Sequence, residues 1–215
     1  MKKRYLYVAA LAALLNFSSC SNSFLDLNPD TAITANTFYK TAEHFDQALV
    51  ASYTAFRSIA QTGIMMDEMR SDNSFYTFYS GDRGPYASTE VLALFLDSGD
   101  PISWIETRYK DNYTCIGRVN TILNRLESSE MTDSEKNAVK AEALFLRAYY
   151  YYDLVQHWGG VPLILEEVQN EADAFKAKSS AEEVYNQIIT DLTEAITLGS
   201  VSYTHLRAHE TSAHL

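Results

Sequence analysis

Basic side chains are scarce in this chain: 17 Lys and Arg face 28 Asp and Glu, a net charge of −11 over 215 residues. Lys2, Lys3 and Arg4 sit at one end, and Arg207 and Glu210 near the other. Residues 20–200 alone hold 13 basic against 27 acidic side chains. Such a surface repels nucleic-acid phosphates and anionic membranes, so no nucleic-acid partner is expected. A neutral or cationic ligand, or a protein partner, fits better. Cysteine is nearly missing, with Cys20 and Cys115 alone, which excludes a disulfide scaffold; a single bridge between the two could still form. No Gly-rich phosphate cradle follows a strand, and there is no paired-cysteine motif and no nucleophile elbow. No cofactor is expected. No segment alternates with the period of two that a convincing sheet needs, although short strands could form around Val161 to Leu165.

What is present is a globular composition, 47% hydrophobic with only 8 Gly and 4 Pro, and an aromatic content of 13% dominated by 15 Tyr. Tyrosine in excess suits half-wet surfaces and interfaces. The opening, MKKRYLYVAALAALLNFSSC, has a basic start, an apolar run from Tyr5 to Leu15 and small residues before Cys20. The run is too short to span a bilayer and reads as a lipoprotein-type secretory signal, residues 1–19. Cys20 then becomes the lipidated N-terminus of a tether over residues 20–40. The alternative is an ordinary secretory leader with Cys20 incidental. With Cys20 lipidated, Cys115 is left as a single thiol, expected to be a buried core residue.

From residue 41 the period becomes helical. TAEHFDQALVASYTAFRSIA places Phe45, Ala48, Leu49, Ser52, Phe56 and Ile59 on one face, with Gly63 past its end. A second helix repeats Ile105, Tyr109, Asn112, Ile116, Val119, Leu123 and Leu126, with Asn120 expected to be buried against a neighbouring backbone. Trp104 opens it, as a core residue or as a stacking platform. In a third helix, Thr132 and Glu135 have capping-box spacing, and Ala141, Leu144, Phe145, Ala148, Tyr152 and Val155 form the expected buried stripe. Gly159 and Gly160 stop it and Pro162 bars its resumption. His157 reads as a partner for the helix dipole. Tyr149 to Tyr152 point in too many directions for one face. The helix is either buried on several sides or meets a partner there. Ser180 and Glu183 open a last helix expected to bury Val184, Ile188, Ile189, Leu192, Ala195 and Ile196. Antiparallel helices with small residues at Ala141 and Ala148 follow tetratricopeptide-like logic, without the strict repeat. The expected fold is all-α over residues 41–200.

Between the first two helices lies an irregular stretch, Asp67 to Tyr86, mixing aromatic and polar side chains. Aromatic faces stack on sugar rings, and Asn, Asp and Arg bond hydroxyls. Asp72, Asn73, Tyr76, Tyr79 and Arg83 are the candidate ligand-binding residues. The alternative is that the aromatics only pack an irregular loop. No catalytic residue is assigned: Glu166-Glu167 and Glu182-Glu183 are adjacent, whereas glycoside hydrolysis needs two carboxylates facing one bond. No metal is assigned either. His205 and His209 have ligand spacing, but VSYTHLRAHET reads like one frame of a transposase-type sequencing adapter, and residues 201–215 are expected to be non-native.

The lipoprotein cysteine, FLDLNPDTAITANTFYKTAEHFDQALVASYTAF, Trp104 with YTCIGRVNTIL, EALFLRAYYYYDLVQHWGGVPL and SSAEEVYNQIITDLTEAI stand in an order that resembles the RagB/SusD family. The resemblance runs from Cys20 to about residue 198. It implies a lipid-anchored protein on the outer face of an outer membrane. It also implies a glycan or other nutrient as ligand, a SusC-type TonB-dependent transporter as partner, a tetratricopeptide-like helical scaffold and no hydrolase activity. Family members are more than twice this long, so the resemblance also implies that a C-terminal, ligand-binding half is missing. A secreted glycoside hydrolase and a helical peptide-binding adaptor are the competing readings.

Overall fold

A computed structural model of the chain describes residues 38–74, 81, 87–95 and 103–199. Contacts divide the chain into residues 1–38 and 39–215, and the architecture below is that of the second unit. Cys20, the tether up to residue 37, Tyr76, Tyr79, Arg83 and residues 201–215 lie outside the described residues. The described elements are helices α1 (Ala42–Ser52), α2 (Thr54–Met66), α3 (Ala87–Ala93), α4 (Ser103–Leu126), α5 (Asp133–Trp158), α6 (Glu171–Ala174) and α7 (Ala181–Leu198), with a 3-10 turn at Glu68–Arg70. Among the described residues the strand-like pairing is an isolated antiparallel bridge, Pro162 with Lys178.

Side-chain bonds give the topology. Arg118 reaches Thr54, while Arg108 reaches Asp67, so α2 runs antiparallel to α4. Arg108 meets Asp153 and Asn120 meets Arg147, so α4 runs antiparallel to α5. Arg147 meets Asp191 and Lys140 meets Glu194, so α5 runs antiparallel to α7. This up-and-down order is the all-α, tetratricopeptide-like arrangement expected. The core between the helices holds Phe45, Leu49, Ile116, Val119, Ile122, Leu126, Leu146, Tyr150, Tyr151, Leu154 and Val184, all fully buried. Cys115 is a buried free thiol, as expected.

The helix ends follow from local chemistry. Thr132 with Glu135 and Ser180 with Glu183 both close capping boxes, satisfying N-terminal amides that the helix cannot. Asn170 and Asp173 close a third, on α6. Gly159 ends α5 with φ 66°, where a side chain would be strained. Gly160 is required for a different reason: a Cβ there would stand 2.2 Å from the Ser179 carbonyl oxygen.

Bonds from the Thr132 side chain, then from its backbone, hold the Glu135 carboxyl below its ordinary range. The Ser180 backbone and then its hydroxyl do the same for Glu183. Because the folded value is the lower one, each box adds stability that is complete above the unfolded glutamate value. That stability disappears as the pH falls through the folded one. The double variant Glu135→Gln with Glu183→Gln is therefore expected to show a shallower loss of melting temperature on acidification. An identical acid limb in the two proteins would refute this.

Four expectations are corrected. The first amphipathic segment is two helices, broken at Tyr53, and Gly63 lies inside α2. On α4 the buried residue is Ile122, with Leu123 at the margin. On α5, Phe145 is 46% and Tyr152 44% exposed, and Ala141 is only half-buried. On α7, Ile189 is 60% and Ile196 75% exposed, and Leu192 is half-buried. On α4, α5 and α7, Arg108, Asn112, Asn120, Arg147, Asp153 and Asp191 occupy buried positions. Polar side chains bonded to one another across helices take core space that a hydrophobicity pattern assigns to apolar ones.

Candidate functional site

Two buried polar clusters organise the helices. In the first, Arg108 on α4 grips Asp153 on α5 with two bonds, Nε to Oδ2 at 3.0 Å and Nη2 to Oδ1 at 2.5 Å. The Asn112 amide adds a third donor to Asp153 at 2.7 Å. Burial works against the guanidinium charge, but the bonds and charge of Asp153, then those of Asp67, outweigh it and hold the Arg108 pKa up. The same guanidinium reaches out to Asp67, just after α2, with Nη1 at 3.2 and 3.3 Å from its two oxygens. His157 Nε2 lies 2.7 Å from Asp67 Oδ1, and its Nδ1 lies 2.7 Å from the Asp153 carbonyl oxygen. The imidazole thus meets the last turn of α5, as expected, and also clamps the start of the irregular stretch.

In the second cluster, Arg147 on α5 makes a bidentate pair with Asp191 on α7 at 2.7 and 2.8 Å. Its Nη1 donates to Asn120 Oδ1 at 3.1 Å and to the Leu165 carbonyl at 3.0 Å. Asn120 in turn donates to the Ile164 and Glu166 carbonyls, the backbone role expected of it. Tyr113 and Tyr151 hydroxyls donate to the carbonyls of Pro162 and Ile164. Burial pushes both phenols up, so they remain neutral donors. The segment after Gly160 is therefore tied to α4 and α5 along its length.

Asp72 and Asn73 emerge from the first cluster. They follow Asp67 and the 3-10 turn, and both are exposed. Ser71 and Ser74 hydroxyls cap the Glu68 carbonyl, and the Asn73 amide donates to Ser71 Oγ at 3.2 Å. Hydrogen bonds thus close the base of the candidate loop, and Asp72 and Asn73 face solvent. Tyr76, Tyr79 and Arg83 belong to the continuation outside the described residues. Sequence reasoning missed Arg70 and Phe95: the Arg70 guanidinium lies 4.2 Å over the Phe95 ring. Trp104 is half-buried. Trp158 meets Tyr109 edge-on at 5.1 Å, and Tyr109 packs on Tyr113 at 4.9 Å.

The two carboxylates described in the first cluster, Asp67 and Asp153, are both engaged by Arg108, which makes the cluster a fastener. Among the described residues no group of three His, Cys, Asp or Glu side chains could hold a metal ion. No described helix is long and apolar enough to cross a membrane. A stack of antiparallel helices joined by buried polar clusters is a tetratricopeptide-like scaffold.

The comparisons give the scaffold its family. A SusD-like family model, described as starch-binding associating with outer membrane, matches residues 23–213. The chain belongs to the SusD-like family. It is 31% identical over 206 residues to a SusD-like protein of Formosa agariphila, covering 93% of this chain and 38% of that one. A SusD superfamily protein from Bacteroides vulgatus superposes with a TM-score of 0.65 at 27% identity, over 75% of this chain and 35% of its own. A laminarin-binding SusD-like protein superposes with a TM-score of 0.61 at 26% identity, over 74% of this chain and 34% of its own. The chain thus spans little more than a third of the length of these relatives.

Proposed function

We propose that this chain serves a cell-surface lipoprotein that binds a glycan or a related nutrient and delivers it to a SusC-type TonB-dependent transporter. The family match carries the reading, and the loop base at Asp67–Ser74 supports it. That loop presents exposed Asp72 and Asn73 from a scaffold held by buried ion pairs. Capture works by stacking and hydrogen bonding, without bond cleavage. The anchor at Cys20 keeps the binder beside its transporter, which raises the effective concentration of one for the other.

Three experiments test this. Titrated with maltoheptaose, laminarihexaose, xylohexaose and mannohexaose, the full chain is expected to bind at least one and to release no reducing ends. Turnover would favour a hydrolase. Pull-down from solubilised outer membranes is expected to recover a large β-barrel; recovery of soluble peptides alone would favour the adaptor reading. Cys20→Ala is expected to move the protein from the membrane fraction to the soluble one, and continued membrane association of that variant would refute the lipid anchor.

A further inference from the structure

We propose that His157 is a pH-dependent latch: its imidazolium, and not the neutral ring, holds the base of the loop that carries Asp72 and Asn73 against the end of α5. The device goes beyond the glycan-binding reading and stands without it. Both ring nitrogens meet oxygens. Nδ1 lies 2.7 Å from the Asp153 carbonyl oxygen, and Nε2 lies 2.7 Å from Asp67 Oδ1. A backbone carbonyl and an ionised carboxylate can only accept, and a neutral imidazole has a single N–H. The neutral ring therefore makes one of the two bonds and sets a lone pair against an oxygen at the other. The imidazolium makes both.

Charge points the same way. The charged groups around the ring are Asp67 beyond α2, Arg108 on α4 and Asp153 on α5 itself, whose Oδ1 lies 3.8 Å from Nδ1. Glu68 and Arg70 follow on the 3-10 turn, and the Lys178 side chain runs beside Gly160. With His157 protonated, the imidazolium and the Arg108 guanidinium balance the Asp67 and Asp153 carboxylates. With it neutral, Arg108 faces both. The partner that yields is Asp67. The Asp153 carbonyl is fixed within α5, whereas the Asp67 side chain is 45% exposed and water can solvate it. Deprotonation thus leaves the Asp67 carboxylate to Arg108 Nη1. Histidine changes charge in the range of about pH 5 to 8, so the latch closes in mildly acidic surroundings and opens as the pH rises.

The test is hydrogen exchange of the full chain at about pH 5 and about pH 8, with rates corrected for intrinsic chemistry. The reporters are the Ser71 and Asn73 amides, which are hydrogen-bonded in the loop base. Their protection is expected to be about fivefold higher at the lower pH, while α4 changes by less than about twofold. His157→Gln has no proton to lose and is expected to bring the ratio at Ser71 and Asn73 within about twofold of unity. Asp67→Asn should do the same by another route, because its amide can offer an oxygen to the imidazolium or an N–H to the neutral ring. Circular dichroism establishes that each variant is folded, and either one decides. A ratio near unity or below it in the unmodified chain would overturn the latch. So would the same ratio across α4, or a pH dependence that survives in a folded variant.

Discussion

Arg147→Ala is expected to destabilise the protein by about 3–5 kcal/mol, a large share of the stability of an ordinary domain. The substitution strands the Asp191 carboxylate, whose side chain is 2% exposed; among the described residues the Gln187 amide at 2.8 Å is then left to solvate it. It also removes the Arg147 donor from Asn120 Oδ1 and from the Leu165 carbonyl. An uncompensated buried charge accounts for most of the loss. The same α5–α7 interface carries its own control. Lys140 and Glu194 meet at 2.6 Å, but their side chains are 35% and 43% exposed. Lys140→Ala is therefore expected to cost at most about 1 kcal/mol. Urea unfolding of the two variants checks the contrast, and comparable losses would show that burial is not what gives the Arg147 pair its weight. Arg147→Met combined with Asp191→Leu should recover part of the stability. It removes both charges but leaves Asn120 Oδ1 and the Leu165 carbonyl without their donor.

The second large effect is expected from Asp153→Ala, also about 3–5 kcal/mol. Arg108 would lose its bidentate partner and keep only Asp67, a carboxylate 45% exposed to water. Asn112 would lose its side-chain acceptor as well. Asp67→Ala is the informative comparison. Arg108 then keeps Asp153, so the global cost is expected to fall to about 1 kcal/mol. The change should instead appear at the loop base, as faster hydrogen exchange over residues 68–74. Equal global losses for Asp153→Ala and Asp67→Ala would contradict this division between a core fastener and a loop clamp. Because these side chains share one network, the two effects are not expected to add.

Much of the fold was legible in the chain. The period of 3.6, the capping boxes at Thr132 and Ser180, and the stop at Gly159 and Gly160 locate three long helices, and the order of motifs identifies the family. The buried role of Asn120 was legible because an amide amid apolar neighbours needs a backbone partner. Tyr53 escaped, because nothing in ASYTAF interrupts the hydrophobic repeat. Arg70 and Phe95 escaped as well, since neither a cation–ring contact between residues 25 positions apart nor a positive φ leaves a mark in composition. The one available signal was a Phe at a helix C-terminus where glycine is usual.

The amino-acid order alone determined that this is an all-α member of its family, where its principal helices begin, and that its surface is acidic. Only the tertiary structure decided which polar side chains share the inward faces and which apolar residues of the expected stripes stay in water. Arg108 and Asp153, 45 residues apart, and Arg147 and Asp191, 44 apart, are buried, while Phe145, Tyr152, Ile189 and Ile196 remain in water. A polar side chain is costly to bury until a partner on another helix cancels its charge. That partner is specified by packing between helices, which no local pattern along one helix encodes.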